Sequence, residues 1–352
     1  MTTTATTPRA VPASSGASGL NLRAGEWVQV RDAAEIMATL DETQSLENMP
    51  FMPEMLQFCG KQFRVYKSAH KTCDTIHQYV IRRMTNTVHL EGLRCDGGAH
   101  GGCQASCLLF WKDAWLKRVQ PGAAASKSTN ETVGMPCDVE PLYHAARLPK
   151  EAGEEQERYR CQATEVVRAT TEVRKRDRWD PRFYLKDLTS GNVTLRNFIW
   201  FGAIAVANSF TLRWRGRRYP HLCGQAGDKT PHSSLNLQPG EMVQVRSKEE
   251  IMKTLNSSLR NRGLSFDVEM VPYCEAGTFK VLDRIEKIVD EKTGRLIKLP
   301  NACIILDGVT CGGNLSTNRM FCPRAVYPYW REGWLKRSDQ AQDAGQGDPA
   351  SR

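Results

Sequence analysis

Leu20-Asn21-Leu22-Arg23-Ala24-Gly25-Glu26-Trp27-Val28-Gln29-Val30-Arg31 returns later in the same chain as Leu235-Asn236-Leu237-Gln238-Pro239-Gly240-Glu241-Met242-Val243-Gln244-Val245-Arg246. Each stretch passes a glycine and then alternates apolar with polar residues, the period of a half-buried strand entered from a turn. The likeness runs on to a shared ending, Phe110-Trp111-Lys112-Asp113-Ala114-Trp115-Leu116-Lys117-Arg118 against Tyr329-Trp330-Arg331-Glu332-Gly333-Trp334-Leu335-Lys336-Arg337. A module written twice changes how each residue is weighed. What both copies keep belongs to the module, and what one copy holds alone belongs to its specialisation.

Working outward, a helix-period stretch follows each opening strand. Asp32 or Ser247 stands as N-cap, and Ile36, Met37 and Leu40 match Ile251, Met252 and Leu255. Acidic Glu35, or Glu249-Glu250, suits the positive helix N-terminus. Next come Phe51-Met52-Pro53-Glu54-Met55 and Phe266-Asp267-Val268-Glu269-Met270, leading to strands that start near Cys59 and Cys274 and carry Arg64 or Lys280 outward. The second copy continues with strands around a Thr293-Gly294 turn and a Cys303-to-Gly308 run. Short strands with polar turns point to a small barrel or roll.

The expected class is therefore α+β: two small β-barrel modules, 20–119 and 231–337, flanking a mainly helical middle segment, 120–230, with disordered tails at 1–19 and 338–352. Small residues at 122–130 and the Gly, Asp, Pro and Ser of 224–234 mark the seams. The strand-opening Gly-Glu-x-Val-x-Val resembles the first strand of SH3-like barrels. Together with Cys95-Asp96-Gly97 through His100, Cys103 and Cys107 and the Phe-Trp-Lys-x-x-Trp-Leu ending, it is similar to uncharacterised bacterial proteins with duplicated, cysteine-rich modules. That resemblance implies a fold and no activity.

Composition is that of a globular protein: 352 residues, 40% hydrophobic and 25% charged, with 48 Lys+Arg over 39 Asp+Glu for a formal charge of +9. That excess favours a polyanion without demanding one. Residues 1–19 lack both the apolar core of a signal peptide and the pattern of a transit peptide, so a cytosolic location is expected. The longest apolar run, Phe198 to Ala207, falls short of the roughly twenty residues a bilayer crossing needs. It reads as a buried helix or strand pair, with a shallow membrane contact beside basic Arg213 to Arg218 as the sharper alternative.

Twelve cysteines in a reducing compartment are poor disulfide candidates and better metal ligands or buried apolar groups. Cys59, Cys95 and Cys103 match Cys274, Cys311 and Cys322. The dense cluster is Cys95, His100, Cys103 and Cys107, four ligands for a tetrahedral ion such as zinc. If Gln104 to Leu116 is helical, Cys103 and Cys107 stand one turn apart on one face. A competing quartet takes Cys103 and Cys107 with Cys137 and Cys161 from the middle segment. An iron–sulfur cluster would use the same thiolates. The second copy's site is lost, or completed by Cys223 or His221.

Basic and aromatic residues interleave in the two endings, which suits nucleic acid. A buried Trp111/Trp115 stripe with Lys112, Lys117 and Arg118 on a solvated face explains the same residues. Tyr159 to Thr170 reads as a helix, and Asp180-Pro181 starts the next. Asp187 and Asn192, near a Ser-Gly turn, suit a cation or a solvated turn. Hydrolase, phosphate-loop, zincin and dinucleotide signatures are absent. His70, His77, His89, His144 and His232 are scattered, and Cys103 with His100 as base would lack an orienting third group. The sequence thus leaves three readings: a zinc-bearing accessory scaffold with an unknown protein or small-molecule partner, a metal or iron–sulfur enzyme in a biosynthetic pathway with its site where the first module meets the middle segment, and a nucleic-acid binder.

Overall fold

The structure is a computed structural model that describes residues 19–77, 80–120, 138–150, 153, 156–174, 177, 180–216 and 218–338. The seam at 122–130, Cys137 and all but the innermost residue of each tail lie outside the described residues. The architecture is mixed α/β with two antiparallel half-barrel sheets. In the first, β1 (Trp27–Val30), β2 (Gln62–Ser68), β3 (Thr87–Arg94), β4 (Leu108–Lys112) and β5 (Leu116–Arg118) lie in the order β4-β3-β2-β1-β5. In the second, β6 (Met242–Val245), β7 (Thr278–Val289), β8 (Leu296–Leu306) and β9 (Leu335–Arg337) lie in the order β8-β7-β6-β9.

Matched residues occupy matched registers. Val28 faces Phe63 and Arg118 across its two neighbours, as Val243 faces Phe279 and Arg337. Val28, Val30, Val243 and Val245 point inward and are fully buried, which the alternating pattern requires. Each opening strand runs into a short helix, α1 (Ala33–Met37) in the first copy. Asp32 accepts from Glu35 N at 2.8 Å while Glu35 accepts from Asp32 N at 3.3 Å. Ser247 and Glu250 form the same reciprocal cap. Over each sheet one phenylalanine meets two indoles edge-on: Phe51 with Trp111 and Trp115 at 6.3 and 5.3 Å, Phe266 with Trp330 and Trp334 at 6.3 and 5.5 Å. Trp115 and Trp334 each donate to a threonine, Thr39 and Thr254.

Three local expectations give way. The segment from Gln104 to Leu116 is not helical: it is extended, forms β4, and turns through a 3-10 element at Asp113–Trp115. β4 is buried on both faces, so its unbroken apolar run carries no period that separates strand from helix. Lys112 consequently lies inside, paired with Glu47 at 2.6 Å. From Tyr159 to Thr170 only Gln162–Glu165 forms an α-helix, while Arg158–Tyr159 pairs with Arg147–Leu148. Lastly, the Phe198-to-Ala207 run forms part of the 21-residue helix Leu195–Arg215, where Ile199 and Trp200 are 62% and 64% exposed rather than buried.

The middle segment otherwise contains α2 (Glu140–Ala146), α3 (Gln162–Glu165), α4 (Pro181–Thr189) and α5 (Leu195–Arg215), and α6 (Lys248–Met252) is the second copy's short helix. Asp180 caps α4 by accepting from Arg182 N, as expected of an Asp-Pro start. Thr171–Glu172 adds a strand to Ile81–Arg83, which pairs with Lys71–Cys73, so the middle segment is woven into the first module. Asp187 and Asn192 are buried rather than at a solvated turn: Asp187 pairs with Lys71 at 2.5 Å, and Asn192 bonds both main-chain groups of Ser68. Among the described residues no helix is long and apolar enough to cross a membrane.

The modules dock through the segment between β3 and β4. Gln104 exchanges main-chain and side-chain hydrogen bonds with Arg284, Glu286 and Lys287 of β7. Arg94 donates to Ala325 O at 2.9 Å and lies over the Tyr327 ring, 4.0 Å from its centroid.

Candidate metal centre

Four of the expected thiols and the expected imidazole line one cleft of about 40 Å³: Cys95, His100, Cys103, Cys107 and Cys161. The volume is little more than one water's share of the liquid, about 30 Å³. That is room for an ion beside the thiols and the imidazole.

A tight turn brings these residues in. His100 N and Gly102 N both bond Gly97 O, at 3.0 and 2.9 Å, and Cys103 N returns to His100 O. Gly97 has φ +72° and lies so close to the backbone of Cys103 that a Cβ there would sit 2.0 Å from its oxygen, so only glycine fits. Cys95 leaves β3 and is pinned to the start of β4 by Cys95 N donating to Cys107 O at 2.9 Å.

Within the cleft, Glu54, Cys95 and His100 bring their ligand atoms within 4.8 Å of one another and could hold a metal ion. Glu54 comes from the Phe-x-x-Glu-Met stretch, where a 3-10 turn over Pro53–Phe58 buries it. Its Oε1 accepts from Ala99 N at 3.0 Å and lies 2.5 Å from His100 Nδ1. Its Oε2 is buried with no hydrogen-bond partner. His100 Nε2 donates to Arg160 O at 3.1 Å, which leaves Nδ1 toward Glu54. A tetrahedral ion with bonds of about 2.0–2.1 Å would hold Glu54 Oε1 and His100 Nδ1 roughly 3.3 Å apart, a displacement of under 1 Å. The outward hydrogen bond from Nε2 to a carbonyl is the support a ligating histidine ordinarily has.

The thiols are held protonated by their surroundings. Burial, with Glu54 adding, pushes Cys95 far above the usual thiol range, and burial raises Cys107 and Cys161 to about 12. A divalent cation reverses this, because a coordinating thiol is deprotonated outright. Cys107 and Cys161 are the other thiols whose charge Cys95 feels. Cys103 is differently engaged: its Sγ accepts from Val289 N at 3.2 Å.

The second copy shows what the same architecture does otherwise. Glu269, matching Glu54, spends both oxygens on Asn314 N, Leu315 N and Ser316 N at 2.7–2.9 Å. Arg319 replaces His100 and is held by both oxygens of Asp267, which replaces Met52. Val326 replaces Cys107. Cys223 is exposed. Glu54 was legible as a residue both copies keep, though its repetition reads first as a feature of folding.

Trp111, Trp115, Trp330 and Trp334 are all fully buried, so these four indoles offer no stacking surface, while Tyr327 and Tyr329 are partly buried. Cys73 and Cys303 are buried as small apolar groups would be, and Cys59 and Cys274 are partly so. Comparison with known proteins gave no match to a family model, to a curated protein or to a solved structure.

Proposed function

We propose that the chain is a metal-binding protein whose first module holds one structural zinc ion through Glu54, Cys95 and His100, with Cys107 or Cys161 as the fourth ligand. In this reading the two sheets are SH3-like modules derived by duplication, and the whole acts as an accessory or interaction scaffold in the cytosol. The observation that carries the reading is the contrast between the copies. Glu269 has three backbone donors and needs no cation, whereas Glu54 keeps a buried oxygen without a partner beside an imidazole and a thiol. A buried carboxylate oxygen left unsatisfied costs about 1–3 kcal/mol or more, and an ion offsets that cost. Glu, His and Cys are all established zinc ligands, and a closed four-ligand set suits a structural site.

A site that exists only in the folded state makes metal affinity part of folding stability. Protein purified without chelator is expected to carry one zinc per chain by elemental analysis. Cys95→Ser and Glu54→Gln should each lower both zinc content and melting temperature, and a chelator should lower the melting temperature of the wild type alone. Wild-type protein free of zinc and indifferent to added zinc would sink the reading. Iron with sulfide, and colour, would replace it with the cluster alternative.

A further inference from the structure

A second cavity lies in the second module and is of another kind: about 350 Å³, within the range of small-molecule sites, and lined by polar groups that include Arg262, Arg284, Arg331, Asn301, Ser233 and Glu332. Its charge is understood from the first copy. There Lys112 Nζ donates to Thr85 O at 3.2 Å and to Glu47 Oε2 at 2.6 Å, a closed ion pair. Arg331 stands where Lys112 stands, and its Nη1 keeps the equivalent carbonyl, Asn301 O at 2.9 Å. The residue matching Glu47, in the same left-handed turn position with φ +46° against +52°, is Arg262. The carboxylate has been replaced by a second cation.

Nothing among the described residues compensates. Arg331 donates otherwise to the main-chain oxygens of Asn261, Ala302 and Arg262 and to Cys303 Sγ, none of them a carboxylate, and Arg262 Nε donates to Asn301 Oδ1 at 3.0 Å. Glu332 is committed to Arg284 at 2.6 Å and to Leu235 N and Leu237 N. Two guanidinium groups without a carboxylate partner therefore border a recess, and burial, partly offset by Cys303 and aided by Arg262, opposes the charge on Arg331. Lysine has also become arginine, whose planar fork matches an oxyanion in a way a point ammonium does not.

We propose that this cavity binds a small molecule bearing a phosphate or carboxylate group, whose oxyanion takes, between Arg262 and Arg331, the place that the Glu47 carboxylate takes in the first module. Ser233 and Asn301 supply polar contacts for the rest of the ligand. The site is independent of any metal at Glu54.

Inorganic phosphate and citrate serve as probes, each titrated at constant ionic strength against chloride while the melting temperature is followed. A saturable rise is expected with at least one of them, phosphate or citrate alone marking which oxyanion is preferred. Arg262→Glu rebuilds the first module's ion pair with Arg331. It should melt no lower than wild type in chloride and bind the preferred anion at least tenfold more weakly. An equal response to chloride and both probes in the wild type, or an unchanged anion response in a folded Arg262→Glu protein, overturns the proposal. Should that variant fold poorly, Arg262→Gln removes the charge alone and must still weaken binding.

Discussion

His89 faces inward from β3 and is fully buried, its Nδ1 donating to Leu109 O at 2.8 Å. Burial lowers its pKa to about 3, so the folded protein holds it neutral. The unfolded chain takes up a proton near pH 6.5 and the folded chain does not until about 3. Stability from this group is therefore complete above about 6.5 and declines as pH falls from there toward 3, by about 1.4 kcal/mol per pH unit. His70, also lowered by burial, contributes with the same sign. His89→Asn keeps the donor and removes the titration, so its unfolding free energy should change less steeply between pH 6.5 and 4 than that of wild type. Equal slopes would show that His89 is not the buried neutral group described. At this scale the sequence was informative about identity and silent about environment. The cluster of Cys95, His100, Cys103, Cys107 and Cys161 could be picked out by residue type, and all five share one cleft. That Cys103 is occupied by Val289 N, and that Lys71 and Asp187 meet in the interior, depends on chain segments far apart in sequence.

Among the elements, those with a strong local signal were legible. The opening strands, the capped helices after them and the start of α4 each carry their own cap or period. β4 and α5 were not, because an unbroken apolar run fits a buried strand and a helix equally well. α5 is held at few points. Phe198 stacks on Phe321 with centroids 5.6 Å apart, and Asn208, buried, donates Nδ2 to Tyr219 O at 2.8 Å while accepting from Tyr219 N at 2.7 Å. The two sides of the helix should therefore respond differently. Asn208→Ala strands both main-chain groups of Tyr219 and is expected to cost about 1–3 kcal/mol in urea unfolding. Trp200→Gln, on the exposed side, should stay within about 0.5 kcal/mol of wild type. A large loss at Trp200 would mean that this face is covered in solution.

For the whole molecule, one of the three cysteine pairs kept in both copies, Cys103 and Cys322, has a use that neither copy discloses alone. Cys103 Sγ accepts from Val289 N, and Cys322 Sγ accepts from Cys73 N, each at 3.2 Å. Cys103 matches Cys322, and Val289 matches Cys73 along β7 and its counterpart in the first module. Each module thus offers a sulfur from its loop to the same backbone position of the other, an exchange with the reciprocity of a two-fold contact. The recurring sequence was readable, but reciprocity was not, since it needs the two modules docked. That docking gives the retained pair Cys103 and Cys322 a role that needs no metal. Cys322→Val keeps the volume and leaves Cys73 N–H buried without an acceptor, so it is expected to cost about 1–3 kcal/mol with zinc content unchanged. Cys103→Val should cost a similar amount and, unlike Cys95→Ser, should also leave bound zinc in place. Because both bonds close one interface, the double variant should depart from the sum of the singles by at least about 0.5 kcal/mol in chemical unfolding. Strict additivity would mean that the two sulfurs act locally, and a zinc loss in Cys103→Val would return that thiol to the metal.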